Sequence, residues 1–152
     1  SGIPTSSGSG GRHQAYLYGA RSVSMATANA RQSLLRTDSL GALHWIGIVA
    51  ALVSAAVHFV LGVRMLPTGM GISFVLAGFG FIGAVVLVLI DYRRRVVYAV
   101  GIPYTLVQIV LWYYVIFATG PRSFPADIGT LGAIDKAAQV VLIAVLVALL
   151  RR

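Results

Sequence analysis

The residues best suited to chemistry are two histidines, His44 and His58, which share the first long apolar segment. Their fourteen-residue spacing places them about 40° apart around an α-helix and about 21 Å apart along it. Ala51 and Ala55 lie between them on the same face and leave space for a flat group. Paired histidines of this kind can hold two haems across a membrane. One hypothesis is therefore a homodimeric b-type cytochrome-like electron carrier that binds haem b through His44 and His58.

This haem site would be incomplete within one chain. Bis-histidine ligation needs a second pair of histidines, and the only other histidine is His13. A second copy, or Met65 or Met70, would have to supply the missing ligands. The structural alternative is that His44 anchors the helix at the membrane interface and His58 hydrogen-bonds a neighbouring helix. The expected cofactor is therefore none, with haem b as the alternative, and no metal site is predicted.

A second candidate is a cluster of polar side chains at membrane depth. Tyr104 and Gln108 recur one helical turn apart, and the amide of Gln108 needs a hydrogen-bond partner in hydrocarbon. Ser54 and His58 on the first segment are expected to supply it. The cluster Ser54, His58, Tyr104 and Gln108 could bind a quinone head group, relay a proton or line the cavity of a small-solute transporter. The structural interpretation is a hydrogen-bonded contact between helices, worth about 1 kcal/mol.

Small residues recur along the first two apolar segments and predict close helix packing. Such residues let helix backbones approach in a bilayer, where no hydrophobic effect drives association. The predicted packing positions are Gly47, Ala51, Ala55, Gly78, Gly80 and Gly83. Most of them are expected to pack within one bundle, and a face left over would bind a partner subunit or a second copy.

Four apolar segments position these residues. Each is about as long as the roughly 20 helical residues that cross a bilayer core. They cover residues 43–63, 70–90, 96–118 and 131–150. The last is weaker because Asp135, Lys136 and Gln139 lie in its first half; Asp135 is interpreted as a favourable charge in the first helical turn. The short links predict an all-α, membrane-embedded, up-down four-helix bundle over residues 41–152.

Basic residues predict the orientation of the four segments. Of twelve Lys and Arg side chains, nine fall on the side that holds both termini and the Arg93–Arg95 loop, against Arg64, Arg122 and Lys136 on the other. The positive-inside rule then makes the protein a multi-pass cell-membrane protein with both termini cytoplasmic. This arrangement explains the net charge of +8 without nucleic acid as a partner, and the expected partner is the lipid bilayer.

Residues 1–40 are predicted to be a disordered, basic, cytoplasmic tail. The first eleven residues are rich in Ser and Gly and cannot form a hydrophobic core. Met25 is a candidate start codon, which would make residues 1–24 non-native.

Several stretches resemble small four-helix membrane proteins of halophilic archaea. The resemblance rests on LLRTDSL before the first segment, DYRRR in the basic loop, GIPYTLVQIVLWY in the third segment and AIDKAA before the fourth. It covers about three quarters of the chain. That family has no assigned activity, so the resemblance implies topology and an archaeal origin but no site.

Motifs for catalysis are missing from the sequence. With no cysteine, thiolate chemistry and Cys-ligated metals are excluded, and no phosphate loop or nucleophile elbow occurs. The leading hypothesis is therefore a non-enzymatic subunit that binds a partner or self-associates.

Overall fold

The computed structural model describes residues 14–25 and 37–152. The chain divides into two units, residues 1–36 and 37–152. The second contains four long helices, α2 (Ala42–Arg64), α3 (Gly69–Leu89), α4 (Arg94–Tyr113) and α5 (Thr130–Leu150). A 3-10 turn (Thr37–Ser39) precedes α2, and a π-helical turn (Tyr114–Ala118) extends α4.

In the first unit, residues 14–25 form a helix, α1, in which every residue is exposed. The predicted disordered tail included this stretch. It also included residues 37–40, where the structure has the 3-10 turn and a buried Leu40. The rest of that prediction, for residues 1–13 and 26–36, lies outside the described residues.

The predicted all-α, up-down four-helix bundle is confirmed. Each of the four long helices is long and apolar enough to cross a membrane. Helix α2 packs most extensively on α3, then on α5, and α4 packs on α5, whereas α3 and α4 have little contact. Both ends of every predicted segment lie within two residues of the ends of an observed helix when the π-helical turn is counted with α4. Helix α5 is one continuous helix of 21 residues.

Contacts of the triple-arginine segment define one end of the bundle, which we call the basic end. The Arg94 guanidinium donates to the Val88 carbonyl at 2.8 Å and to the Ser39 hydroxyl at 2.6 Å. Arg95 donates to the Leu150 carbonyl at 3.4 Å. The start of α2, the α3–α4 loop and the end of α5 therefore lie together. The α2–α3 and α4–α5 loops lie at the opposite end, which we call the far end.

Helices α2 and α3 approach each other closely at Gly62 of α2 and Gly71 of α3. A methyl group on Gly71 would lie 2.7 Å from the carbonyl oxygen of Met65 and 2.9 Å from that of Gly62. A methyl group on Gly62 would lie 2.9 Å from the backbone nitrogen of Val75. Backbone lies directly against backbone here, so only glycine fits.

Five of the six predicted packing positions lie against another helix or in the core. A methyl group on Gly47 would meet Val145 at 3.1 Å, and one on Gly78 would meet Phe59 at 3.0 Å. Gly80 lies under the Tyr104 hydroxyl, and Ala51 and Ala55 are buried in the core. The sixth prediction, that Gly83 packs against another helix of the bundle, is wrong, because a methyl group there would have nothing within 4 Å.

Apolar side chains cover much of the outer surface of the four long helices. Exposed examples are Leu76 and Phe79 on α3 and Val100, Val107 and Val110 on α4. Side chains of this kind are compatible with lipid contact, where an apolar outer face is the favourable one.

The glycine contact predicts a specific loss of stability. Replacing Gly71 with alanine should lower the free energy of unfolding in detergent by about 1–3 kcal/mol, because the new methyl group must push two backbones apart. Thermal unfolding followed by circular dichroism measures the change. Gly83→Ala is the matched control and should unfold at or slightly above the wild-type temperature, since its methyl group meets nothing. Equal behaviour of the two variants would contradict the close α2–α3 contact.

Candidate functional site

The far-end half of the bundle contains a buried ion pair on α5. The Lys136 ammonium lies 2.7 Å from Asp135 Oδ2 and also donates to Gln139 Oε1 at 2.7 Å. It lies 5.3 Å from the centre of the Trp112 ring on α4. Asp135 is 4% exposed. As the sixth residue of α5, it is about 7.5 Å along the axis from the helix start.

His58 on α2 faces this pair. Its Nδ1 lies 2.8 Å from the Ser54 carbonyl oxygen and 3.5 Å from Asp135 Oδ1. In the shorter contact Nδ1 donates its hydrogen, because a carbonyl oxygen can only accept. The ring packs against Phe74 and Phe81 of α3, with centroids 5.4 and 5.6 Å away. Aromatic packing and the backbone hydrogen bond therefore fix the ring orientation.

We call the side chains of His58, Gln108, Asp135, Lys136 and Gln139 the polar cluster. Two polar atoms of these side chains are buried without a hydrogen-bond partner. One is Asp135 Oδ1, an acceptor; the other is the Gln108 side-chain nitrogen, a donor. The amide oxygen of Gln108 is 3.5 Å from the Gln139 nitrogen, which is the upper limit for a hydrogen bond. A buried donor or acceptor with no partner costs about 1–3 kcal/mol. The polar cluster therefore contains one unsatisfied acceptor, Asp135 Oδ1, and one unsatisfied donor, the Gln108 side-chain nitrogen.

Beside the cluster lies a cavity of about 400 Å³, which we call the polar pocket. The main polar groups of this pocket belong to His58, Gln108, Asp135 and Lys136. Its remaining walls are mostly apolar, from α3 and α4, and include Phe74 and Trp112. The pocket lies between α3 and α4 because these two helices have little direct contact.

A second cavity of about 580 Å³, the vestibule, adjoins the pocket toward the far end. Leu61, Met70, Phe74 and Trp112 line both cavities. The vestibule is also lined by the 120–132 segment, including Arg122 and Asp127. Together they lead from the far-end loops to the polar cluster.

A much smaller cavity of about 60 Å³ lies toward the basic end. It is lined by His44, Tyr98 and Thr105 among mainly apolar residues. By position along their helices, Ser54, Thr105 and Gln139 lie near mid-length, between this cavity and the polar pocket. These three side chains have no exposed surface.

The predicted cluster of Ser54, His58, Tyr104 and Gln108 is divided in the structure. His58 and Gln108 both line the polar pocket, and the Ser54 carbonyl binds His58. The Ser54 hydroxyl is buried without a hydrogen-bond partner. Tyr104 points to α3, where it donates to the Ala77 carbonyl at 3.0 Å and packs against Phe81. Ser54, His58 and Gln108 therefore lie together. Tyr104 links α4 to α3, and its hydroxyl also interacts with the Gln108 side chain one turn along α4.

The two histidines proposed as haem ligands have different surroundings. The Nδ1 of His44 accepts a hydrogen bond from the Gly41 amide at 3.2 Å, beside Tyr98. An accepting Nδ1 means that Nε2 carries the proton, and a protonated nitrogen cannot bind iron. In this geometry His44 caps the start of α2. In His58, by contrast, Nδ1 donates to the Ser54 carbonyl.

Sequence reasoning missed the residues at the centre of the site. Asp135 was predicted to act as a first-turn charge, but it lies beyond the first turn and its carboxylate is buried against Lys136. Gln139 was read only as weakening the fourth segment, yet it is fully buried. A signal was present: Asp135 and Gln139 are one turn apart, so they share a helix face.

Comparison with known proteins gives one family match. Neither a curated protein nor a solved structure matches the chain. The model of a family of unknown function, DUF7475, matches residues 29–150, which include all four long helices. On this match the chain belongs to the DUF7475 family of unknown function.

Proposed function

We propose that this chain is a membrane-embedded binding protein that takes a small amphipathic molecule into the polar pocket. The observation that carries the proposal is the buried Asp135–Lys136 pair in the wall of a 400 Å³ cavity. A largely apolar cavity with a few convergent polar groups is the usual form of a small-molecule site. The proposed role is binding alone and includes no chemical reaction.

The energetics of the ion pair support a functional role. Removing two charges from water costs several kcal/mol per ion, so a buried pair contributes little net stability compared with apolar residues of the same size. Ionisable side chains inside membrane segments commonly mark ligand or ion sites. Stability from packing therefore does not explain why Asp135 and Lys136 lie inside the bundle, whereas recognition of a ligand does.

The hypotheses of a partner-binding subunit and of a haem protein have less support. A partner-binding or self-associating subunit accounts for exposed small residues such as Gly83, but it leaves the cavity and its charged wall unexplained. A haem role would require His44 to give up its hydrogen bond with Gly41. It remains a prediction that an absorption spectrum of the purified protein tests directly.

We also propose that the basic end is cytoplasmic, so that the vestibule opens on the opposite side of the membrane. The support is the excess of arginine at that end and the positive-inside rule. The archaeal origin implied by the resemblance belongs with this proposal and stays a prediction.

Ligand entry can be measured through Trp112, which lines both the pocket and the vestibule. Trp45 is the only other tryptophan, so Trp45→Phe isolates the signal. The methyl ester of a terminally brominated undecanoic acid should quench Trp112 fluorescence in a saturable way. Ala77→Phe, which fills the pocket wall, should remove the saturable part.

The matched control for this experiment is Ala56→Phe, which adds the same side chain at an exposed position of α2. It should leave the saturable quenching unchanged. Quenching that never saturates, or that Ala77→Phe leaves intact in a folded protein, would refute binding in the pocket.

Single cysteines test the orientation, because the chain contains none. A membrane-impermeant maleimide added to intact cells should label Ser123→Cys in the α4–α5 loop. It should label Tyr92→Cys, in the basic loop, only after the cells are permeabilised. Both side chains are exposed, and neither substitution removes a cation. The reverse pattern would show that the vestibule faces the cytoplasm.

A further inference from the structure

We infer that the polar pocket selects a neutral amphipathic molecule whose head carries a hydroxyl group beside a second oxygen. The inference rests on the proposed binding function and specifies the class of ligand. It is argued from the charge of the pocket, from its two unsatisfied atoms and from the chemistry of its walls.

The charge of the pocket favours a neutral head group. The charges of Asp135 and Lys136 cancel each other, with the ammonium 2.7 Å from the carboxylate. In the vestibule, Arg122 and Asp127 are likewise of opposite sign. A charged ligand would leave a net charge in a region of low dielectric, which is costly. A neutral ligand avoids this cost.

The two unsatisfied atoms specify the hydrogen-bonding pattern of the head. Asp135 Oδ1 needs a donor, and the Gln108 nitrogen needs an acceptor. Both atoms are buried, and the residues that carry them line the pocket. The terminal torsions of carboxylate and amide groups are broad, so a small rotation turns each atom toward a ligand. A hydroxyl group beside a second oxygen supplies both partners at once.

The pocket walls specify the rest of the molecule. The walls along the route from the vestibule are apolar and consist of Phe74, Leu111, Trp112, Val115 and Ile116. The inference places the alkyl tail between α3 and α4, which have little contact with each other. The ligand is therefore a lipid-soluble alcohol or diol rather than a sugar or an ion.

A competition experiment tests this inference with a matched pair of probes. The probes are a decane with vicinal hydroxyl groups and its dimethyl ether, which keeps both oxygens but has no donor. Each is titrated against the brominated ester bound to the Trp45→Phe protein. The diol should restore Trp112 fluorescence at a concentration about tenfold or more below that of the ether, because a hydrogen bond to a charged acceptor is lost in the ether.

The matched variant is Asp135→Leu with Lys136→Leu, added to Trp45→Phe. Removing both charges together leaves no unpaired ion, so the bundle is expected to remain folded. This variant should lose the preference for the diol over the ether, because the charged acceptor is gone, whatever change the loss of the ion pair makes to the affinity for the brominated ester. Circular dichroism and elution volume establish that it is folded.

The outcomes separate the two proposals. Equal competition by diol and ether, or a preference that persists in the double variant, overturns the hydroxyl inference while binding in the pocket stands. Failure of the brominated ester itself to bind saturably overturns the binding function and the inference together. A tighter affinity for an alkylamine or a fatty acid than for the diol overturns the requirement for a neutral head.

Discussion

Hydrocarbon cannot solvate a charge, and the arrangement of the far-end half of the bundle follows from that constraint. Lys136 must find its partners inside the protein, and it finds three: Asp135 beside it, Gln139 one turn along α5 and the face of Trp112 on α4. These contacts tie α5 to α4. Asp135 also faces His58, which ties α5 to α2. One ion pair thus organises the meeting point of three helices.

The packing of α3 accounts for the space beside this ion pair. Glycines at positions 62 and 71 bring the backbones of α2 and α3 into direct contact near the far end. With α3 held against α2, and α4 held against α5, little contact remains between α3 and α4. The polar pocket and the vestibule occupy that gap. Tight packing on one side of α3 therefore produces a cavity on its other side.

The two ends of the bundle use charge in different ways. At the basic end, arginines bind backbone carbonyls at the ends of α3 and α5, where cations are favourable neighbours of helix C-termini. At the far end, Asp135 is paired with Lys136, and Arg122 and Asp127 line the vestibule. The first pattern stabilises helix ends and fits an interface with water. The second concentrates polarity within the membrane, beside a space large enough for a ligand.

The sequence by itself determined the four spans, their order and the up-down topology, because long apolar runs joined by short links allow few alternatives in a bilayer. It also identified Gly47, Ala51 and Gly78 as contact positions, since small residues on one face are a local property of a helix. It could not show that Gly83 faces outward or that Tyr104 turns toward α3. Those outcomes depend on how each helix is rotated about its axis. The tertiary structure alone decided that Asp135 and Lys136 of α5, His58 of α2 and Gln108 of α4 share one cavity, because residues distant in sequence meet only through helix packing.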